Sequence, residues 1–333
     1  MLDAATQTIE LSVLVVSYQT RELTLACLRS LLQETNAVCM EVLVLDNDSS
    51  DGSAEAIAEE FPELTLFALQ ENLGFGAANN YLADRATGRR LLLLNPDTLV
   101  LHGAVDHLWA FAESHAGAQL WGGRTLFEDR SLNPSSCWGA PTPWSALSLG
   151  LGLARAFPRS PLFHPEGLGA WKRDTVREVP IVSGCFLMID RDLWQSLQGF
   201  HPDFFMYGED ADLCLRANAH GARPLIDPDA VIVHYGGASE RGVRAGKMTR
   251  LFTAKAQLYR KFWGAGSARF GLLSLDLWTL VRCFAFGLLA LVGKGSPASR
   301  SAWKEVWQGR DAWHSAFHRT QPYKAPGGGG AHP

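Results

Sequence analysis

Arg89-Arg90-Leu91-Leu92-Leu93-Leu94-Asn95-Pro96-Asp97 decides the architecture of the chain around it. Four consecutive leucines predict a strand buried on both faces of a parallel sheet. Pro96 has no N–H to give a sheet ladder, so the strand ends at Asn95. Asp97 then lies at the carboxyl end of a central strand, where open α/β sheets hold their ligands. An acid there can bind a hard cation and, through it, a phosphate. It can equally cap a helix beginning near Thr98, and this stretch alone leaves cap and ligand open.

Upstream, strand, loop and helix alternate. Ser12-Val13-Leu14-Val15-Val16-Ser17 predicts a first strand, with Thr20 capping a helix over 21–33. Glu41-Val42-Leu43-Val44-Leu45 predicts a second strand, ending in the polar loop Asp46-Asn47-Asp48-Ser49-Ser50-Asp51-Gly52, with Ser53 as the next cap. A third strand is expected over 64–69. Asn72-Leu73-Gly74-Phe75-Gly76-Ala77-Ala78-Asn79-Asn80 follows, with small residues entering a helix. Its Gly-x-Gly follows a third strand and Asn79 replaces the last glycine, which argues against a dinucleotide fingerprint and a nicotinamide oxidoreductase. The same glycines serve either close approach of a nucleotide or tight helix–sheet packing. With a helix over 103–114 and a strand over 118–122, the rhythm is that of a doubly wound sheet.

Composition narrows the function. The 333 residues carry a net charge of −4 with 47% hydrophobic residues, a globular chain with no support for nucleic-acid binding. The six cysteines contain no C-x-x-C, which favours free thiols in a reducing compartment, and Met1-Leu2-Asp3-Ala4-Ala5 lacks a signal-peptide pattern. The expected location is cytoplasmic.

Beyond Gly123 the rhythm breaks. Residues 124–178 are rich in Pro, Gly, Ser and Trp and predict a long irregular insertion. Trp121, Trp138, Trp144 and Trp171 fit either core packing or stacking on sugar faces. An apolar strand over 181–189 and a short helix over 190–197 follow. Then comes Gly208-Glu209-Asp210-Ala211-Asp212-Leu213-Cys214-Leu215-Arg216, three acids at a helix start. The helix dipole favours acids there, and Asp212 with Arg216 has the spacing of a plain ion pair. Glu209 and Asp210 follow an aromatic segment whose apolar surroundings would raise a carboxylate's pKa and suit it to proton transfer. A strand at 230–234 ends in His234. The basic run Arg241, Arg244, Lys247 and Arg250 is either a solvated face or a loop that closes on a diphosphate. From Leu251 the chain reads as helical. Residues 271–293 are strongly apolar, and the uninterrupted part, 283–292, is too short to span a bilayer. It fits an interfacial helix or a packing helix. The Gly-rich tail over 321–333 is expected to be disordered.

In order, Val-Val-Ser17-Tyr18, Leu45-Asp46-Asn47-Asp48-Ser49-Ser50-Asp51-Gly52, Asn72-x-Gly-Phe-Gly-Ala-Ala-Asn-Asn80, Asn95-Pro96-Asp97, Gly208-Glu209-Asp210-x-Asp212-Leu213-x-Leu215-Arg216 and His234 resemble the family-2 glycosyltransferases, most of all their rhamnosyltransferase-type branch. The resemblance covers roughly residues 10–250. It implies an α/β fold of GT-A type: a Rossmann-like, mostly parallel sheet with flanking helices and a C-terminal helical extension. It implies a GT-A domain over 1–246, with a nucleotide-sugar half at about 10–123 and an acceptor half at about 124–246. A helical region over 247–320 follows. Activity would be inverting transfer from a nucleotide-diphospho-sugar, dTDP-rhamnose first and a UDP- or GDP-sugar as the alternative, to a glycan or polyprenyl-linked acceptor in cell-surface polysaccharide synthesis. By the resemblance Asp46 binds the base, with Ser17 and Tyr18 beside it, and Asn72 and Gly74 line the donor pocket. Asn95-Pro96-Asp97 stands in for the family's D-x-D, with Asp97 on a Mg²⁺ or Mn²⁺ ion and His234 as a second metal or diphosphate contact. Asp210 is the general base, with Glu209 its neighbour or substitute, and Arg241 and Arg244 close on the diphosphate. Lipid-linked acceptors would place the protein at the inner face of the membrane, touching it through 271–293. A non-catalytic nucleotide-sugar-binding protein is the competing expectation, and the carboxylates retained at every position argue against it.

Overall fold

The structure is a computed structural model that describes residues 8–236, 244–291 and 297–325. Two compact units emerge, one from the described residues up to 138 together with 172–236, the other from 139–171 together with 244–325. This division is not a single cut at 246, because residues 139–171, more than half of the expected irregular insertion, group with the helices near the C-terminus. Arg241 and the glycines of the tail lie outside the described residues, as does the side chain of Arg244.

The first unit is built on β1 (Leu11–Ser17), β2 (Met40–Asp46), β3 (Thr65–Ala68), β4 (Arg90–Leu94), β5 (Thr98–Val100), β6 (Leu120–Leu126), β7 (Leu132–Asn133), β8 (Cys137–Trp138), β9 (Arg177–Glu178), β10 (Ile181–Val182), β11 (Phe186–Asp190) and β12 (Leu225–His234). Along the main sheet the order is β3-β2-β1-β4-β11-β6-β12-β5. The first four strands are parallel, with β1 between β2 and β4. Helices Arg21–Glu34, Ser53–Glu60 and Gly74–Ala83 make the crossovers. Leu91 to Leu94 are at most 2% exposed, as a central strand requires. Past β4 the sheet turns mixed: β11 runs antiparallel to both β4 and β6, and β12 is parallel to β6.

Several local expectations change. Thr98 does not begin a helix. Thr98–Val100 is a strand paired antiparallel with β12, His234 opposite Thr98, so Asp97 is not a helix cap. Thr20 makes no capping bond. Its hydroxyl meets that of Thr24 at 3.1 Å, while the Arg21 N–H donates to Asp51 Oδ2 at 3.0 Å. Ser53 is the first helical residue rather than the cap, and its N–H and hydroxyl both donate to Asp51 Oδ1. The strand expected over 118–122 is shifted to Leu120–Leu126. The apolar run over 181–189 is cut by Ser183-Gly184-Cys185 into β10, which pairs with β8, and β11, which joins the main sheet. Trp121 is a core residue, with the buried Arg90 guanidinium 4.7 Å from its ring.

The second unit is helical: Pro143–Leu151, Leu153–Ala156, Arg244–Phe262, Ala265–Leu291, Pro297–Gln308 and Asp311–Arg319. Thr142 and Ser145 close a capping box at the first of these. Phe252, Tyr259, Leu272, Leu275, Trp313 and Phe317 form its core. Two half-buried polar clusters tie it together. Glu166 accepts from Lys255 Nζ at 2.8 Å and Ser145 Oγ at 2.6 Å, and Asp276 accepts from Trp313 Nε1 at 3.0 Å and meets His314 Nε2 at 3.0 Å.

Candidate active site

The carboxyl ends of β1, β2 and β4 lie side by side in register, Ser17 opposite Asp46, with β4 on the other flank of β1. Ser17 is buried and its hydroxyl pairs with Thr24 Oγ1 at 3.0 Å, so it anchors the first helix, whereas Tyr18 beside it is exposed. Asp46 is buried. Its Oδ1 accepts from the Ser49 N–H at 3.0 Å, and its Oδ2 has no hydrogen-bond partner among the described residues. A buried acceptor without a donor is costly unless something else supplies one.

Asn72 and Gly74 are held by Asn47, part of the polar loop after β2 but given no role by its sequence position. Asn47 Nδ2 donates to Asn72 Oδ1 at 3.0 Å, and Asn47 Oδ1 accepts from the Leu73 N–H at 2.9 Å. Asn72 Oδ1 also accepts from the Gly74 N–H at 2.8 Å. Gly74 has φ +78°, and a Cβ there would fall 2.7 Å from the Phe205 ring. The close approach that needs this glycine is therefore to Phe205.

Asn95, Asp97 and His234 converge. Because β5 pairs with the end of β12, His234 Nε2 lies 3.3 Å from Asp97 Oδ1 and 3.4 Å from Asn95 Nδ2. Asn95 Oδ1 is buried with no partner among the described residues. Burial disfavours the charged imidazole, but the Cys185 sulfur and the Asp97 carboxylate outweigh it and push the His234 pKa up to about 10. Among the described residues no three His, Cys, Asp or Glu side chains cluster as a metal site. The set is one carboxylate, one imidazole and an amide oxygen that lacks a donor. That donor set would suit a divalent ion with an incomplete protein shell.

The antiparallel return of β11 brings the acids at 209–210 to this same edge. Phe186 pairs with Leu94, so Gly184 and Cys185 lie beyond the end of β4, and Cys185 O accepts from the Asn95 N–H at 3.0 Å. The Gly184 N–H donates to Asp210 Oδ2 at 3.2 Å. Asp210 and Asp97 are thus linked through Gly184, Cys185 and Asn95, with Asp210 in the first turn of the Glu209–Ala219 helix. The Ser-Gly-Cys interruption of an otherwise apolar run was the only cue to these two linking residues. Burial raises the Asp210 pKa, and the N–H groups of Gly184 and Ala211 pull it partly back. Glu209 is buried with Oε2 unpartnered among the described residues; burial first, and then the charge of Asp210, raise its pKa.

The helix is fixed from below. Arg216 donates to Asp212 at 2.7 Å, to Leu197 O at 2.7 Å and to Gly199 O at 2.8 Å, and both side chains of the pair are buried. Asn80 clamps the other side of that loop, donating to Phe200 O at 2.8 Å and accepting from the Phe200 N–H at 2.9 Å. The ion pair expected from the i, i+4 spacing is present, buried, and anchors the segment leading into Glu209.

The raised Glu209 pKa has a stability consequence. Between the ordinary carboxylate range and the raised folded value, the folded chain keeps a proton that the unfolded chain has released, so stability falls as pH rises through that window. Glu209→Gln removes that slope. Its melting temperature should exceed that of the parent at alkaline pH and converge with it at acid pH. Equal pH slopes for the two proteins would show that Glu209 is not held protonated.

A parallel half-sheet with acids at its strand ends defines an α/β protein whose ligand edge is the carboxyl end of the sheet. The model of glycosyl transferase family 2 matches residues 12–196, and that of glycosyl transferase family group 2 matches 171–307. The chain belongs to glycosyl transferase family 2. Among solved structures it resembles a mannosyltransferase, PcManGT from Pyrobaculum calidifontis in complex with GDP-Man and Mn²⁺, with a TM-score of 0.55 and 18% identity over 94% of this chain and 88% of that one. That likeness shows the GT-A fold. In sequence it is 28% identical over 210 residues to the N-acetylglucosaminyl-diphospho-decaprenol L-rhamnosyltransferase of Mycobacterium tuberculosis, covering 59% of this chain and 66% of that protein. It is 27% identical over 215 residues to the O-antigen biosynthesis protein RfbC of Myxococcus xanthus, covering 64% of this chain but 16% of that protein. The chain thus spans less than two thirds of either relative.

Proposed function

We propose that this protein is an inverting glycosyltransferase that moves L-rhamnose from dTDP-rhamnose to a hydroxyl of a glycan or polyprenyl-linked acceptor. The observation that carries the reading is the linked set Asp97–Asn95–Cys185–Gly184–Asp210, which holds a phosphate-side acid and a buried proton acceptor at one sheet edge. The rhamnosyltransferase relatives support the sugar and the lipid-linked acceptor. Asp46 Oδ2, lacking a donor among the described residues, suits the N–H of a thymine or uracil base.

Asp97, Asn95 and His234 would hold a Mg²⁺ or Mn²⁺ ion. When bound, it neutralises the negative charge that builds on the departing diphosphate. Asp97 and Asn95 would supply oxygen ligands to that ion, and His234, 3.3 Å from Asp97, would serve as a nitrogen ligand or as a contact to the diphosphate. Asp210, its pKa raised by burial, takes the proton of the acceptor hydroxyl as that oxygen attacks the anomeric carbon from the face opposite the diphosphate. Glu209, kept neutral beside it, adds no second charge to repel the carboxylate. Lys247 and Arg250 stand in the Arg244–Phe262 helix rather than in a loop, and Arg241 lies outside the described residues, so the closing loop expected of this basic run is not part of the proposal.

The test is a transfer assay with radiolabelled dTDP-rhamnose and a polyprenyl-diphospho-sugar acceptor, with UDP- and GDP-sugars as competitors. Turnover with dTDP-rhamnose alone supports the proposal, and preference for another donor replaces the sugar. EDTA should reduce turnover to background, with recovery on adding Mg²⁺ or Mn²⁺. Full activity in EDTA would remove the metal role from Asp97.

A further inference from the structure

We propose that the helical unit seats on an anionic lipid bilayer through one face of the Ala265–Leu291 helix. Phe270, Leu273, Leu280, Phe284, Leu288 and Leu291 are all exposed, and their three- and four-residue spacings place them in one stripe along that helix. An exposed apolar face of this length marks an interaction surface.

The helix is long and apolar enough over Ala265–Leu289 to cross a membrane, but its other face is committed. Leu272 and Leu275 are in the core of the unit, and Ser274 and Thr279 are buried with them. Asp276 is bonded to Trp313 and His314. Crossing a bilayer would expose those polar groups to hydrocarbon, whereas lying at the interface keeps them packed. The packing helix expected for 271–293 is present on one face, where Leu272 and Leu275 join the core, and the interfacial role is proposed for the opposite face.

Charge names the occupant. Residues 139–171 and 240–333 contain 17 lysines and arginines against 5 acidic residues, a net charge of +12. The rest of the chain carries 13 against 29, a net charge of −16, which the overall value of −4 conceals. Arg155 and Arg282 are near enough to repel each other, and neither has a carboxylate partner among the described residues. Gly152, beside Arg155 in sequence, lies against the Arg282 guanidinium. A second copy of the chain would press like charges together, while an anionic headgroup layer neutralises them as the apolar stripe enters the acyl boundary.

Flotation of the full chain with phosphatidylcholine vesicles, with and without phosphatidylglycerol, tests this. Co-flotation is expected only with the anionic vesicles and should weaken at high salt. Leu280→Glu with Phe284→Glu should lower the vesicle-bound fraction about tenfold or more while circular dichroism stays unchanged. Should that pair perturb folding, Arg155→Gln with Arg282→Gln should still weaken anionic binding and reduce its salt dependence. Parent protein that stays unbound with anionic vesicles overturns the proposal. So does a stable dimer in light scattering that the glutamate variant dissociates without any lipid binding. None of these readouts depends on sugar transfer, so the membrane proposal and the proposed activity fail separately.

Discussion

Asp210→Asn is expected to abolish sugar transfer while leaving nucleotide affinity and fold intact. The amide is isosteric, and its one oxygen can still accept the N–H of Gly184 at the 3.2 Å separation of the parent, giving up the Ala211 N–H that the other carboxylate oxygen accepts at 2.7 Å, a local loss within the first turn that leaves the link to Gly184 in place. What disappears is the ability to accept a proton. General-base assistance contributes about a hundred- to ten-thousand-fold, and kcat should fall by that factor. Km for the donor should hold, because the acids proposed for the base and phosphate contacts are Asp46, at the end of β2, and Asp97, in the turn before β5, both away from the helix that carries Asp210. The raised pKa adds a second readout. Parent activity should rise with pH as Asp210 ionises, at a value above the ordinary carboxylate range. Residual activity of Asp210→Asn should lack that rise. Unchanged kcat, or a loss confined to Km, would take the proton-accepting role from Asp210. If the carboxylate one residue earlier serves instead, Glu209→Gln would carry the kcat loss.

The strands that place these acids were legible because the physics that makes them is local. Four leucines stopped by a proline leave a central strand few alternatives, and β-branched runs at 12–17 and 41–45 do the same. Acids at such strand ends follow directly. What was hidden depends on partners distant in sequence. Thr98-Leu99-Val100 has no intrinsic pattern that separates strand from helix, and it becomes a strand because β12, more than 120 residues later, pairs with it. That pairing is also what brings His234 to Asp97, so the same long-range contact corrected the cap reading and completed the site. The link from Asp210 to Asp97 rests on the antiparallel return of β11, which an alternating strand–helix rhythm does not foretell. Gly74 shows the converse. Its need for a positive φ was readable, but the neighbour it accommodates, Phe205, lies 131 residues away. Segregation of charge between the units was present in the sequence all along. It becomes visible only once 139–171 is known to fold with the C-terminal helices.

Arg216→Leu should be the most destabilising single change near the site. It breaks three bonds at once: to Asp212 at 2.7 Å, to Leu197 O at 2.7 Å and to Gly199 O at 2.8 Å, all buried. Asp212, which is fully buried, loses its guanidinium, and removing one partner of a buried pair costs about 3–5 kcal/mol. Two loop carbonyls lose their donor as well, each adding about 1–3 kcal/mol if no water replaces it. Chemical denaturation should therefore show a large loss, and the segment over 197–208 should become sensitive to proteolysis before the rest. Activity should fall with it, since that segment leads directly into Glu209 and Asp210. The companion variant separates charge from packing. Asp212→Leu with Arg216→Met replaces the pair by apolar groups of similar volume and should recover much of the stability lost by Arg216→Leu. It should not recover kcat in proportion, because the carbonyls of Leu197 and Gly199 still lack the guanidinium that fixes the loop. Recovery of both together would mean that the pair contributes only charge balance. Loss of neither in Arg216→Leu would mean that Asn80, clamping Phe200 from the opposite side, holds the loop alone.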